Sequence, residues 1–188
     1  MKIILISGKA EAGKTTTANI IISELEKLGL KAVKLAYGDE VKETAKKVWG
    51  WNGKKDVAGR HLLQWWGTDV VRAKRPDYWT ESIVRLVDVL DGVVDFVLID
   101  DCRFPDEIRI WQDSDLASKF SSGLRTVTVR VNRPGHVSAL TQEQLMHPSE
   151  TALDAWNCDV QLTARNYQEL EQEVQRNWEM IVGKEEKN

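Results

Sequence analysis

Several things are scarce in this sequence. Only two cysteines, Cys102 and Cys158, occur in 188 residues, and their spacing matches no metal site. The expectation is two reduced, buried thiols in a cytoplasm rather than a disulfide framework or a zinc module. No apolar run approaches the ~20 residues a bilayer span requires. The apolar start Ile3–Ile6 is far too short for a signal peptide. Neither sign of charge dominates, with 26 Lys+Arg against 29 Asp+Glu and a net charge of -3. A protein that grips a nucleic-acid backbone needs a basic face, and this balance demands none. Internal repeats and low-complexity linkers are missing too. The expected setting is cytoplasmic, with no nucleic-acid and no membrane partner. The polar tail 183–188 is expected to fray.

What the chain does have is 42% apolar residues, enough for the core of one domain spanning residues 1–188. Short apolar runs alternate with segments of helical period. Lys2–Ile6 reads as a buried strand. Thr15–Leu28 reads as a helix, with Gly29 at its left-handed end. Ala32–Ala36 reads as a second strand, followed by helical stretches near Asp39–Trp49, Arg60–Arg72 and Pro76–Leu90. Val93–Ile99 is the most apolar strand. Pro105 opens a helix reaching about Trp111, and Leu124–Val131 reads as a strand. Residues 132–156 look irregular and polar. Cys158–Leu162 and Tyr167–Ile181 close the chain as strand and helix. This alternation predicts an α/β fold: a parallel sheet in three layers, with helices on both faces. Ligands in such sheets bind at the carboxyl ends of the strands.

Gly8-Lys9-Ala10-Glu11-Ala12-Gly13-Lys14-Thr15 matches G-x-x-x-x-G-K-[ST], after a strand and opening a helix. The glycines let the backbone aim several N–H groups inward, where they and the positive helix end bind phosphate. ATP is the expected ligand of this loop and of Thr16 just after it. Lys14 is placed to reach the β- and γ-phosphates, and the Thr15 hydroxyl to ligate Mg²⁺. Asp100 and Asp101 follow the apolar run Val97–Ile99 and are the other candidate Mg²⁺ residues.

A P-loop alone does not separate a GTPase, a motor and a small-molecule kinase. No N-K-x-D guanine motif is present. Arg60 and Gln64 share a helix face, being four apart. Arginine binds phosphate through its fork, and glutamine can bond a base edge.

With these residues in view, the sequence resembles the phage-type deoxynucleoside monophosphate kinases. Four segments carry the resemblance: Gly8–Thr17, the G-R-x-L-x-Q-x-x-G-T stretch Gly59–Thr68, Asp101–Glu107, and Arg133-Pro134 leading to His147–Glu150. Asp159 and the closing helix also fall where that family has them. The resemblance implies a sheet in order 2-3-1-4-5 and transfer from ATP to a deoxynucleoside monophosphate. It implies an acceptor-binding region at about 37–92 and a short lid at about 133–150. Tyr37, Asp39, Arg60, Gln64, Thr68 and Arg72 are then acceptor residues, with Trp79 and Glu150 close by. Asp101 and Arg103 fall between the two phosphate sites. Arg133 approaches the transferring phosphoryl group. A homodimer, and a host cytoplasm if the chain is phage-encoded, are further expectations.

The chain departs from the family in three ways. Gly13-Lys14-Thr15 stands where many members read Gly-Lys-Asp. Thr163 or Ala164 stands where an asparagine often lies near the base. An insertion after the second strand is missing. Animal-type phosphomevalonate kinases share the P-loop, an R-x-L-L-Q-x-x-x-T stretch and a late Ser-Glu. The chain differs from them at Gly67-Thr68 and Arg103-Phe104-Pro105. An acceptor that is already an ionised phosphate needs no strong base, so His61, His136 and His147 are expected to be structural. A nucleotide-binding regulator without turnover is the reading from outside enzymology.

Overall fold

The computed structural model describes residues 1–121 and 123–183. The tail expected to fray lies, from residue 184 onward, outside the described residues. Five parallel strands form one sheet in the order β2-β3-β1-β4-β5, as expected. They are β1 (Lys2–Ser7), β2 (Ala32–Leu35), β3 (Phe96–Cys102), β4 (Arg125–Asn132) and β5 (Val160–Thr163). Between them run α1 (Lys14–Lys27), α2 (Tyr37–Trp49), α3 (Val57–Gln64), a π-helix (Trp65–Arg72) and α4 (Tyr78–Leu90). After β3 come α5 (Pro105–Arg109), a 3₁₀ turn (Ile110–Gln112) and α6 (Ser114–Ala117). Then follow α7 (Gln142–Met146), α8 (Pro148–Thr151), α9 (Tyr167–Arg176) and α10 (Trp178–Val182).

Alternation along β1 sorts the core into two halves. Ile4 and Ile6 pack on one face of the sheet with Ile21 and Leu25 of α1 and Leu170 and Val174 of α9. Ile3 and Leu5 pack on the other with Tyr37 of α2, Ile83 and Val87 of α4, and Trp111. Successive strand side chains point to opposite faces, so one apolar run supplies both halves. Among the described residues, no helix is long and apolar enough to cross a membrane.

Three expectations need correction. Strand β3 starts at Phe96 rather than Val93 and runs on through Asp100, Asp101 and Cys102. Its register with β1 slips by one residue between Leu5 and Ser7, so the two aspartates sit in a bulge within the strand rather than past its end. The stretch read as one helix over Arg60–Arg72 is α3 continued by eight π-helical residues. The irregular 132–156 stretch holds two short helices. Thr141 and Gln144 form a capping box at α7, and Pro148 opens α8. Helices of four or five residues are too short to show a period.

Candidate active site

The P-loop turns between β1 and α1. Gly8 has φ 150°, and a Cβ there would lie 2.5 Å from the carbonyl oxygen of Val131, so only glycine fits. Gly13 caps α1 in the left-handed region, and no side chain caps that helix start. The first N–H groups of α1 are therefore left for a ligand, the arrangement that binds phosphate. Lys14 is buried and donates to the carbonyls of Gly8 (2.8 Å) and Lys9 (2.7 Å). Burial first, then the positive charge of Arg103, push its ammonium down to about 8, against the pull of Glu150, Asp101 and Asp100.

A cavity of about 580 Å³ opens beside the loop. Lys14, Thr15, Arg60, Gln64, Thr68, Asp100 and Arg103 all line it. The sequence-predicted residues from three separate segments are thus brought to one place.

Several of them do other work there than expected. Both oxygens of Asp101 accept backbone N–H groups, from Tyr37 and from Gly38, each at 2.8 Å. The start of α2 has no cap from its own Ala36, so a carboxylate from β3 supplies it. A Cβ on Gly38 would come within 2.9 Å of that carboxylate. This leaves Asp101 poorly placed for a metal. Asp100 is buried, lines the cavity and receives no hydrogen bond among the described residues. The exposed Thr15 lines the same cavity.

Tyr37 is buried, and its hydroxyl donates to the Glu107 carbonyl. Trp79 walls the cavity, but its indole N–H donates to the Gly67 carbonyl (2.9 Å). It holds the π-helix rather than standing free to stack. Arg72 forms ion pairs with Asp106 and Glu107 and lies over the Phe104 ring at 4.0 Å. Burial pushes the Glu107 carboxyl up to about 7, although Arg72 and the N–H groups of Arg103 and Phe104 oppose this. Asp39 is exposed and pairs with Lys42 (2.6 Å).

Glu150, expected near the acceptor, lines the same cavity and also reaches the P-loop. One oxygen accepts from Ala10 N (2.8 Å), and the other pairs with Arg103. Lys9 donates to the Glu150 carbonyl (2.7 Å) and pairs with Asp154. Gln144 is buried and donates to the Val57 carbonyl (3.1 Å). The second half of the expected lid is thereby packed onto the loop and α3.

Glu11 is a junction that the sequence reading treated only as a loop position. It has φ 63°, its carboxylate meets Arg60 (3.1 Å) and His136 (3.0 Å), and it accepts from Ala139 N (3.3 Å). His136 foremost, and the N–H of Ala139, hold this carboxyl below the usual range. Arg133 donates to the Glu11 carbonyl (3.3 Å) and the Arg165 carbonyl (3.4 Å). A second, outer cavity of about 520 Å³ is lined by Arg133 to Val137 and Arg165. It adjoins the Thr163–Ala164 position where the expected asparagine is missing.

No family model matches the chain, and no curated protein matches it. Solved structures do. The APS kinase CysC of Mycobacterium tuberculosis, in complex with AMPPNP and APS, is 15% identical, with a TM-score of 0.44 over 95% of this chain and 97% of that one. A sugar kinase from Janibacter sp. is 14% identical, with a TM-score of 0.48 over 97% and 96%. Shikimate kinase from Aquifex aeolicus is 14% identical, with a TM-score of 0.47 over 96% and 97%. At such identities and scores, these neighbours identify no substrate.

Proposed function

We propose that the chain is a kinase that moves the γ-phosphoryl group of ATP onto a deoxynucleoside 5'-monophosphate. The observation that carries this reading is the one cavity shared by Lys14, Thr15, Arg60, Gln64, Thr68 and Arg103. Its volume suits a nucleotide-sized acceptor, and its walls mix cations with the apolar surfaces of Leu63, Phe104 and Trp79. The motif resemblance over Gly59–Thr68 and Asp101–Glu107 points the same way.

The chemistry asks for positioning and charge stabilisation rather than a strong base. Among the described residues, no histidine lines the cavity. His136 pairs with Glu11, and His147 caps α8 by accepting from Ser149 N. An acceptor phosphate, ionised at neutral pH, needs neither as a base. Lys14 and the loop N–H groups hold the donor phosphates. Arg133 and Arg165 flank the outer cavity. Thr15 and Asp100 would hold Mg²⁺, which when bound neutralises charge on the phosphates. Leu140 lines the acceptor cavity and residues 133–137 the outer one, where they would limit the access of water, the competing acceptor.

The shared P-loop, R-x-L-L-Q stretch and late Ser-Glu favour phosphomevalonate as the second acceptor to examine. A coupled ADP-release assay with the deoxynucleoside monophosphates and phosphomevalonate decides between them. ADP release without any of these acceptors, or none at all, would sink the reading.

A further inference from the structure

Most cations around the acceptor cavity already have partners. Arg60, Arg72 and Arg103 face the carboxylates of Glu11, Glu107 and Glu150, and Lys42 faces Asp39. Lys34 donates to Asn19, and Lys14 to two loop carbonyls. Lys55 also lines the cavity, and its ammonium has no carboxylate and no hydrogen-bond acceptor among the described residues.

The backbone around Lys55 is held on both sides. Trp51 is buried and its indole donates to the Lys54 carbonyl (3.0 Å), while Asn52 accepts from Lys54 N (2.9 Å). Arg60 Nε donates to the Lys55 carbonyl (3.0 Å), and Asp56 caps α3 through Gly59 N (2.8 Å). Gly59 lies so close that a Cβ would stand 2.0 Å from the Lys54 carbonyl oxygen. The glycine that opens the G-R-x-L-x-Q stretch therefore admits this loop against α3. A held main chain thus carries, in the cavity lining, a cation with no partner among the described residues. Partial withdrawal from water, then the charges of Lys42, Arg60 and Arg103, push the ammonium below the ordinary lysine range, with Asp101 opposing. A group so placed gains most from an anion arriving among these cations.

We propose that Lys55, beside Arg60, binds the phosphate of the acceptor and sets the preference for acceptors that carry a phosphomonoester. This rests on the kinase reading above. A lysine suits the task because its compact charge and rotatable donors accept a phosphate from many directions. The Arg60–Glu11 pair is a partly exposed one of small net stabilisation, so the terminal nitrogen of Arg60 can leave Glu11 for the same phosphate while Nε keeps the Lys55 carbonyl.

The test is titration calorimetry on wild type, Lys55→Ala and Lys55→Arg, using the monophosphate turned over fastest in the acceptor panel, and ATP. The inhibition constant of the matching uncharged deoxynucleoside is measured alongside. Lys55→Ala should bind the monophosphate roughly 10- to 150-fold more weakly, the loss typical of a charged hydrogen bond. ATP affinity, the deoxynucleoside constant and melting temperature should stay near wild type, and Lys55→Arg should recover part of the loss. A monophosphate affinity unchanged in Lys55→Ala overturns the proposal while leaving the kinase reading intact. Equal weakening for the deoxynucleoside also overturns it, because the lysine would then hold the pocket rather than the phosphate. A wild type that binds no monophosphate overturns the kinase reading, and this proposal with it.

Discussion

Arg133 donates to the main-chain carbonyl of Glu11, 3.3 Å away. This contact joins the end of the fourth strand to the phosphate loop and puts the guanidinium on the donor side. If it meets charge developing on the transferring group, its loss lowers kcat and leaves affinity largely unchanged. Arginines in that role elsewhere are worth about 10³–10⁵ in rate. Arg133→Ala should lose at least ~100-fold in kcat at saturating ATP and acceptor, with Arg133→Lys recovering only part, because the planar fork is gone. A raised KM for ATP with kcat preserved would instead make Arg133 a ligand of the donor nucleotide.

Lys14→Ala should abolish turnover while circular dichroism and melting stay close to wild type. Retention of most of the activity would remove the phosphate-binding reading of the loop. The same residue predicts a pH dependence. Its pKa in the free enzyme is pushed down to about 8, and bound phosphates raise it by favouring the charged form. ATP binding therefore takes up a proton above pH 8. Affinity should be flat below that pH and fall towards about tenfold per unit above it. Calorimetry across pH, in buffers of differing ionisation enthalpy, reads both effects.

Arg60→Ala and Gln64→Ala should raise the acceptor KM, by roughly 10- to 150-fold for the arginine, with little change in ATP binding. Gln64 donates to the Gln144 carbonyl at a long 3.5 Å, so little stability goes with it. Loss of ATP affinity with the acceptor KM unchanged would mean that the two sites are reversed.

Glu150→Ala should act mainly on stability. It removes the acceptor of the Ala10 N–H and leaves Arg103 with the Ser149 carbonyl but no paired carboxylate. Breaking a buried ion pair costs about 3–5 kcal/mol. Arg103 is 34% exposed, so about 2–3 kcal/mol is expected here, or roughly 4–12 °C in Tm. A variant that melts like wild type would show that Glu150 does not hold the loop.

Much of this protein was legible in its sequence, because local rules act over short spans. A strand followed by two glycines seven and twelve residues after Met1, then Lys14 and Thr15, is enough to specify a phosphate loop. The alternation of apolar runs with helical periods is enough for a sheet covered on both faces. The motif resemblance also named Arg60, Gln64, Thr68 and Arg103, which the fold brings to one cavity.

Hydrogen-bond assignments, in contrast, depend on which groups meet in space, and no spacing rule reports that. Asp100 and Asp101 are adjacent and both line the cavity, yet only the second gives its two oxygens to backbone N–H groups at the start of α2. Glu150 carries the signature of a late motif, but the packing of α8 turns it to Ala10 and Arg103. Lys55 belongs to no motif. Only the folding of its loop over Gly59 sets its charge among Lys42, Arg60 and Arg103. The sequence by itself determined the loop, the layers and the strand order's expectation. Which side chains stay free for a ligand was decided by the tertiary structure, because a buried donor or acceptor takes the nearest partner the packing offers.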